Sequence, residues 1–266
     1  MSDTTIASDP GTDCPLCRGG VGAGDPADVE GGGRAVNFTD AAAVIEGSAG
    51  DEGTDAWTPV AFGRRRDLEV SILSAWAEQR GLWMPSSAMT GIERGRMEHD
   101  LIYIGIPPKR VMKVTRGQKF GFFPSTDPKL VSGMVSDWFV LKPATPLQYL
   151  RRMALTHELF PALEHRLEGF AMLEGEFRIV ISQQFIDPVA ASPKAISDFF
   201  TGAGFERLLK ESWYRAADNV AVFDAGTTNL MEFAGHLFPI DILPVRPGGL
   251  LLERIKEALR VPFWSR

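Results

Sequence analysis

Long apolar runs are missing from this sequence of 266 residues. A helix that crosses a bilayer needs roughly twenty consecutive, mostly apolar residues, and no run of that length occurs. The first residues also lack the basic and then apolar pattern of a signal peptide. Both absences predict a cytoplasmic protein that has no membrane partner.

Cysteine is also scarce, because only Cys14 and Cys17 occur, in the order Cys-Pro-Leu-Cys. A structural zinc site takes four ligands, and the four histidines lie far along the chain, at positions 99, 157, 165 and 236. A reduced thiol pair is therefore the favoured interpretation. A metal site completed by a partner chain is the alternative.

Basic runs with interleaved aromatic residues are absent, which argues against a nucleic-acid partner. The acidic charge is concentrated at the start of the chain, since residues 1–56 hold eleven acids and only two arginines, a net charge of −9. They also hold eleven glycines. We therefore expect residues 1–56 to be a disordered acidic tail, with at most a transient helical turn at Ala41–Ile45. The slightly basic remainder suits an anionic substrate.

What the sequence does contain is a group of oxygen-bearing side chains near its end. Asp224 follows a short apolar strand, and Asn229 comes five residues later. Two further strands around Gly235 predict a hairpin that returns Asp241 to the neighbourhood of Asn229. Asn229 and Asp241 offer the hard oxygen ligands that Mg²⁺ prefers, and Asp224 could accept a hydroxyl proton. The pattern favours phosphoryl transfer, and the alternative is three ordinary turn and strand-end residues.

A lysine in an apolar strand is the second indication of chemistry. Lys113 lies between Met112 and Val114, so an inward amine would need an anionic partner. A helix is predicted from Thr145, where a capping box and Pro146 mark its start. Glu158 shares the apolar stripe of this helix, which predicts a Lys113–Glu158 pair. The alternative is a half-exposed Glu158 near Arg151 or His157.

The other predicted elements frame these residues. We expect a helix over Asp67–Gln79 that ends at Gly81, an aromatic segment Gly117–Ala144 packed as an insertion rather than serving as a lid, and strands over Leu167–Leu173 and Phe177–Ser182. Gln183 and Gln184 follow these strands, either as a hinge or as ordinary strand-end residues. Further helices are predicted after Ser192 and over Leu250–Leu259.

The order of these features resembles the protein-kinase-like fold. More narrowly, it is similar to the serine/threonine/tyrosine kinase-like domain found in polyvalent proteins of phages and mobile elements. The stretches that carry the resemblance are Gly95–His99, Val111–Thr115, Leu150–Phe160, Leu167–Phe170, Ile181–Gln184, Gly204-Phe205, Trp213-Tyr214, and Asp224 through Asn229 to Asp241.

The resemblance implies an α+β, two-lobed kinase-like fold over residues 57–246. It would have a small antiparallel N-lobe sheet to about residue 184, a reduced helical C-lobe over 185–246, and an amphipathic helix within 247–266 packed on the domain. It also implies ATP, Mg²⁺ and a protein substrate with a Ser, Thr or Tyr hydroxyl.

The resemblance further assigns roles to particular residues. Lys113 would bind the phosphates and Glu158 would orient it, while Asp224 would be the catalytic base and Asn229 and Asp241 the metal ligands. The cofactor-binding residues would also include Gly95 in the loop over the phosphates and the hinge residues Gln183 and Gln184.

The sequence departs from the kinase pattern around the catalytic loop. Val222-Phe223 stands in place of His-Arg before Asp224, Gly226 in place of a lysine two residues after it, and Ile242-Leu243 in place of Phe-Gly after Asp241. No complete Gly-x-Gly-x-x-Gly occurs. The alternatives to an active protein kinase are therefore a pseudokinase, an interaction module of a phage or mobile element, and a small-molecule kinase.

Overall fold

A computed structural model describes residues 36–49, 58–95, 98–105, 109–126, 139–186, 189–233 and 235–261. Cys14 and Cys17 lie outside these residues. The described helices are α1 (Phe38–Ala49), α2 (Pro59–Arg80), α3 (Pro146–Leu159), α4 (Pro193–Gly202) and α5 (Gly249–Arg260). No helix in this part of the chain combines the length and apolar character needed to cross a membrane.

The strands lie between these helices. They are β1 (His99–Ile104), β2 (Arg110–Thr115), β3 (Phe122–Ser125), β4 (Val140–Pro143), β5 (Arg166–Leu173), β6 (Glu176–Gln184), β7 (Val189–Ala190), β8 (Glu206–Leu209), β9 (Ser212–Arg215), β10 (Val220–Phe223), β11 (Leu230–Phe233), β12 (His236–Pro239) and β13 (Leu243–Val245). All the pairs between them are antiparallel. The expected α+β composition is therefore confirmed.

The disordered tail expected for residues 1–56 is wrong over α1. Phe38, Ala41, Ala42 and Ile45 are buried there. Their spacing of three, one and three residues places them on one helical face. That face packs against α2 and α3, so burial of a short apolar stripe stabilises a segment whose overall composition is polar.

Helix ends largely follow their capping residues. The capping box of α3 is present, because the Thr145 hydroxyl accepts from the Gln148 N–H and the Gln148 side chain accepts from the Thr145 N–H. Helix α2 starts earlier than predicted, at Pro59, where the Thr58 hydroxyl accepts from the Ala61 N–H. It ends, as predicted, at Gly81 in the left-handed conformation.

The sheet β1-β2-β6-β5 forms the first half of the described structure. Lys113 on β2 is paired with Leu101 on β1 and Ile181 on β6, so it lies in the middle of this sheet. Helix α3 packs on the same side, where Leu150 and Met153 share a core with Ile181. The sheet and α3 therefore enclose the lysine from two directions.

The helical C-lobe expected after residue 184 is wrong. Residues 189–245 contain one helix, α4, and seven strands, which form the sheet β13-β10-β9-β8 and the sheet β12-β11-β7. Short segments rich in aromatic and β-branched residues, separated by tight turns, favour hairpins over helices. The described part of Gly117–Ala144 packs on these strands: the ring centroids of Phe139 and Phe223 on β10 lie 5.2 Å apart.

Candidate functional site

The site begins with the buried amine of Lys113. The side chain is 7% exposed, and its Nζ donates to the Ile240 carbonyl oxygen over 2.6 Å. Burial lowers the pKa of Lys113, and the nearby charge of Asp241 acts in the opposite direction. The lysine thus points inward and joins β2 to the residue directly before Asp241.

The β11–β12 hairpin brings Asp241 back beside Asn229. Leu230 is paired with Pro239, and the Ile240 N–H donates to the Asn229 carbonyl oxygen over 2.8 Å. The reversal passes through Gly235 at a φ of 78°, a conformation that glycine adopts without strain. The return of the chain is the one predicted from the sequence.

Asp224 directly follows β10 and has a left-handed backbone conformation, with a φ of 55°. Its carbonyl oxygen accepts from Asn229 Nδ2 over 2.9 Å, which leaves Asn229 Oδ1 as the atom that could meet a cation. The pKa of Asp224 is raised, first by partial desolvation of its carboxyl and then by the charges of Asp241 and Glu211. Asp224, Asn229 and Asp241 therefore form one group.

Glu211 is a neighbour of this group that sequence reasoning missed. A Cβ on Gly226 would lie 2.7 Å from the carboxyl carbon of Glu211 and 2.9 Å from each of its oxygens. The Ala225 N–H also donates to the Glu211 carbonyl oxygen over 2.9 Å. A side chain at position 226 would collide with the Glu211 carboxyl. This accounts for Gly226 at the position where the kinase pattern has lysine.

The predicted pairing of Lys113 with Glu158 is wrong. Glu158 is exposed, and its Oε1 accepts from Arg246 Nη2 over 2.6 Å. The prediction, which was made from the stripe Leu147, Leu150 and Ala154, assumed that α3 buries a single face. In the last turn of α3 the buried residues are instead Leu155, Thr156 and Leu159, so position 158 turns away from the sheet.

A different ion pair joins α3 to the sheet. Arg152 Nη1 donates to Glu98 Oε2 over 3.0 Å, and Nη2 donates to Glu98 Oε1. Both side chains are buried, at 6% and 3% exposure. The sequence holds a signal for each residue but none for their pairing. Arg152 shares a helical face with Tyr149 and Thr156, and Glu98 belongs to a stretch that carried the resemblance.

His99 and Asp241 lie next to this pair. His99 Nε2 is 2.9 Å from the Tyr149 hydroxyl oxygen, and burial, with the charge of Lys113, lowers the pKa of His99 to about 3. The possible ligand atoms of Glu98, His99 and Asp241 all lie within 4.8 Å of one another. Lys113 and Arg152 line the same narrow cleft, so their two cations already balance the two carboxylates there.

Oxygen donors of the kind that Mg²⁺ prefers are present on the other side of Asp241. Asn229 and Asp224 supply hard oxygen atoms there, which Mg²⁺ prefers. The groups that act on the pKa of Asp224 are Asp241, Glu211 and Asn229, and none of them is a cation. The residues named from the sequence as metal ligands are thus compatible with the ion.

The three further residues predicted to contact a nucleotide, Gly95, Gln183 and Gln184, lie in different environments. The Gly95 N–H donates to Asp100 Oδ1 over 3.3 Å, and a Cβ on Gly95 would lie 1.8 Å from the His99 carbonyl oxygen. Gln183 is buried, and its Oε1 has no hydrogen-bond partner among the described residues. Gln184 is exposed. Their roles in binding a nucleotide stay predictions.

Residues 138–244 match the family model described as Serine/Threonine/Tyrosine Kinase found in polyvalent proteins. The resemblance is therefore confirmed over these residues, which include α3, β5, β6 and the whole of Asp224–Asp241. Lys113 and Glu98 precede the matched segment. No curated protein and no solved structure matches the chain.

Proposed function

Because residues 138–244 match a kinase family, we propose that the protein is an ATP-dependent phosphotransferase that acts on a protein hydroxyl. The observation that carries the proposal is the meeting of two distant parts of the sequence. Lys113 bonds to a carbonyl 127 positions further along the chain, directly before Asp241. Lys113 and Asp241, expected separately from the sequence, line one cleft. Asn229 bonds to Ile240 through the backbone, and the charge of Asp241 acts on Asp224, so both lie near Asp241.

Each side chain has a defined task in this reaction. Lys113 binds the phosphates, and a bound nucleotide replaces its present acceptor, the Ile240 carbonyl. Asn229 and Asp241 would hold Mg²⁺, and the ion would supply positive charge to neutralise the phosphates. The acceptor oxygen forms a bond to the γ-phosphorus while the bond from that phosphorus to the bridging oxygen breaks, so that ADP leaves. The hydroxyl proton passes to Asp224, whose raised pKa makes it a stronger base.

A pseudokinase is the second candidate, and the state of Gly95 favours it. Its N–H is bonded to Asp100, and its carbonyl oxygen accepts from Arg116 Nη2. A loop that covers phosphates with backbone N–H groups needs those groups free. A protein with this arrangement could bind a nucleotide through Lys113 and Asp241 without transferring phosphate.

Labelling with [γ-³²P]ATP and Mg²⁺ tests the proposal. The wild-type chain should label itself or a supplied protein, Asp224→Asn and Asp241→Ala should not, and the acceptor is then mapped by mass spectrometry. Asp198→Asn is the matched control, because Asp198 is an exposed acid paired with Lys194 on α4.

The outcomes separate the candidates. Stabilisation by Mg²⁺–ATP in a thermal shift assay without any label transfer identifies the pseudokinase. Neither stabilisation nor transfer contradicts both candidates.

A further inference from the structure

The buried pair of Glu98 and Arg152 is a part of the molecule that the proposed reaction does not use. Within the described ranges, it is the arginine–carboxylate pair in which both side chains are less than a tenth exposed. Buried ion pairs of this kind are often no more stabilising than apolar residues of similar volume. The pair therefore calls for a reason other than stability.

Its surroundings are built to hold it. Gly121 lies against the Glu98 carboxyl, since a Cβ there would come within 2.1 Å of the carboxyl carbon. The guanidinium carbon of Arg152 lies 5.0 Å from the centre of the Tyr149 ring. The Thr156 hydroxyl donates to the Arg152 carbonyl oxygen over 2.8 Å. The contacts of Gly121 and Tyr149 restrict where the carboxylate and the guanidinium can lie, whereas the Thr156 bond is made to the helix backbone.

The group that Arg152 faces beyond Glu98 is Asp241. A possible ligand oxygen of Asp241 lies within 4.8 Å of one on Glu98, and Asp241 and Arg152 line the same cleft. Two carboxylates this close and largely removed from water repel each other unless a cation stands beside them. The guanidinium of Arg152 is the cation that α3 supplies.

We propose that Arg152, held by Glu98, is a positioning residue for Asp241. This inference rests on the proposed function, because the position matters if Asp241 binds the Mg²⁺ of a nucleotide complex. Helix α3 thus supports the site with an arginine, whereas the kinase resemblance assigned its supporting contact to the carboxylate of Glu158. The support acts on the metal ligand instead of on Lys113.

Removal of the guanidinium alone leaves Glu98 as an unpaired carboxylate beside Asp241. Repulsion from Glu98 then moves the Asp241 carboxylate away, which weakens its interaction with a hard cation. Removal of the Glu98 charge at the same time removes the repulsion. A purely structural role predicts a different result. The Mg²⁺ requirement of the folded protein would then be unchanged both when Arg152 alone is replaced and when Glu98 and Arg152 are replaced together.

The test uses calorimetry at a fixed ATP concentration. It measures the Mg²⁺ concentration at which ATP binding by the full chain is half-saturated. Arg152→Met should raise this concentration about ten-fold to hundred-fold, as expected when a group that orients a metal ligand is lost. The double variant Glu98→Gln/Arg152→Met should return to near the wild-type value. Arg151→Met is the control, because Arg151 is the next residue on α3 but is 53% exposed and pairs with Glu46.

The outcomes distinguish this inference from the proposed function. Failure of the wild-type chain to bind Mg²⁺–ATP overturns both. Binding by the wild type, with an unchanged Mg²⁺ requirement in Arg152→Met or an equally impaired double variant, overturns the positioning role alone. Where Arg152→Met does not fold, Arg152→Gln decides, since it removes the charge but keeps a hydrogen-bond donor for Glu98. A raised Mg²⁺ requirement supports the role and a wild-type requirement contradicts it.

Discussion

The two sides of Asp241 differ in how their charges are balanced. Towards the sheet, Lys113, Glu98 and Arg152 are buried, and the protein supplies both signs of charge. Towards the loop after β10, Asp224 and Glu211 are exposed, and the described neighbours that act on Asp224 include no cation. The first side is complete without a ligand, whereas the second has an excess of negative charge that a metal ion or a cationic group could balance.

Loss of the buried amine should have the largest effect. In Lys113→Met the cleft keeps the apolar stem of the side chain but loses the charge that we propose binds the phosphates, so phosphoryl transfer should fall by about 10²- to 10³-fold. Initial rates with labelled ATP measure this change. A variant that keeps wild-type activity would remove Lys113 from the mechanism.

Loss of the carboxylate of the buried ion pair should lower stability. Glu98→Leu leaves the Arg152 guanidinium buried without its carboxylate, which should lower the free energy of unfolding by about 3–5 kcal/mol. Urea denaturation measures the difference. A loss below about 1 kcal/mol would show that water or another acid replaces Glu98 without difficulty.

The exposed side should respond to pH. Asp224 accepts a proton only as a carboxylate, and its pKa is raised, so activity should fall on acidification at a higher pH than for an ordinary aspartate. Glu211→Gln removes one of the charges that raise this pKa, and the acidic limb of the rate profile should therefore shift to lower pH. An unshifted limb would mean that another group controls it.

The same raised pKa has a consequence for stability. An acid whose pKa is higher in the folded than in the unfolded state stabilises the fold below its unfolded pKa, and this contribution is lost as pH rises through the folded pKa. Asp224→Asn should therefore be slightly more stable than wild type at pH 7 and lose that advantage in acid. Thermal unfolding at both pH values compares them.

The smallest effect is expected at the exposed pair on the same helix as Arg152. Glu158→Gln breaks the contact with Arg246, in which both side chains are about half exposed, so stability should change by about 0–1 kcal/mol. Phosphoryl transfer should be unchanged. A large loss of transfer would instead restore Glu158 to the site.

Prediction from sequence worked where the signal is local. The start of α3 at Thr145 and Pro146 follows from capping chemistry within four residues. The β11–β12 hairpin follows from alternating apolar residues on either side of Gly235. Because Asn229 and Asp241 flank that hairpin, their proximity could be predicted without any knowledge of the rest of the chain.

Prediction failed where a partner comes from elsewhere in the chain. Lys113 was assigned Glu158 from the helical stripe, but the phase of α3 against the sheet places Arg152 inside and Glu158 outside. Nothing near Arg152 in sequence indicates that Glu98, 54 positions earlier, pairs with it. Helix phase depends on the sum of all packing contacts, which a stripe of three or four residues does not report.

The amino-acid sequence by itself determined the short-range features of this protein: the caps of its helices, the hairpin that carries Asp241, and the order of the residues typical of a kinase. Only the tertiary structure decided which partner each buried charged group has: Lys113 bonds to the Ile240 carbonyl, and Arg152 pairs with Glu98. The physical reason is range. Caps and turns are hydrogen-bonded within a few residues, whereas a buried charge takes its partner from whichever distant element the core brings beside it.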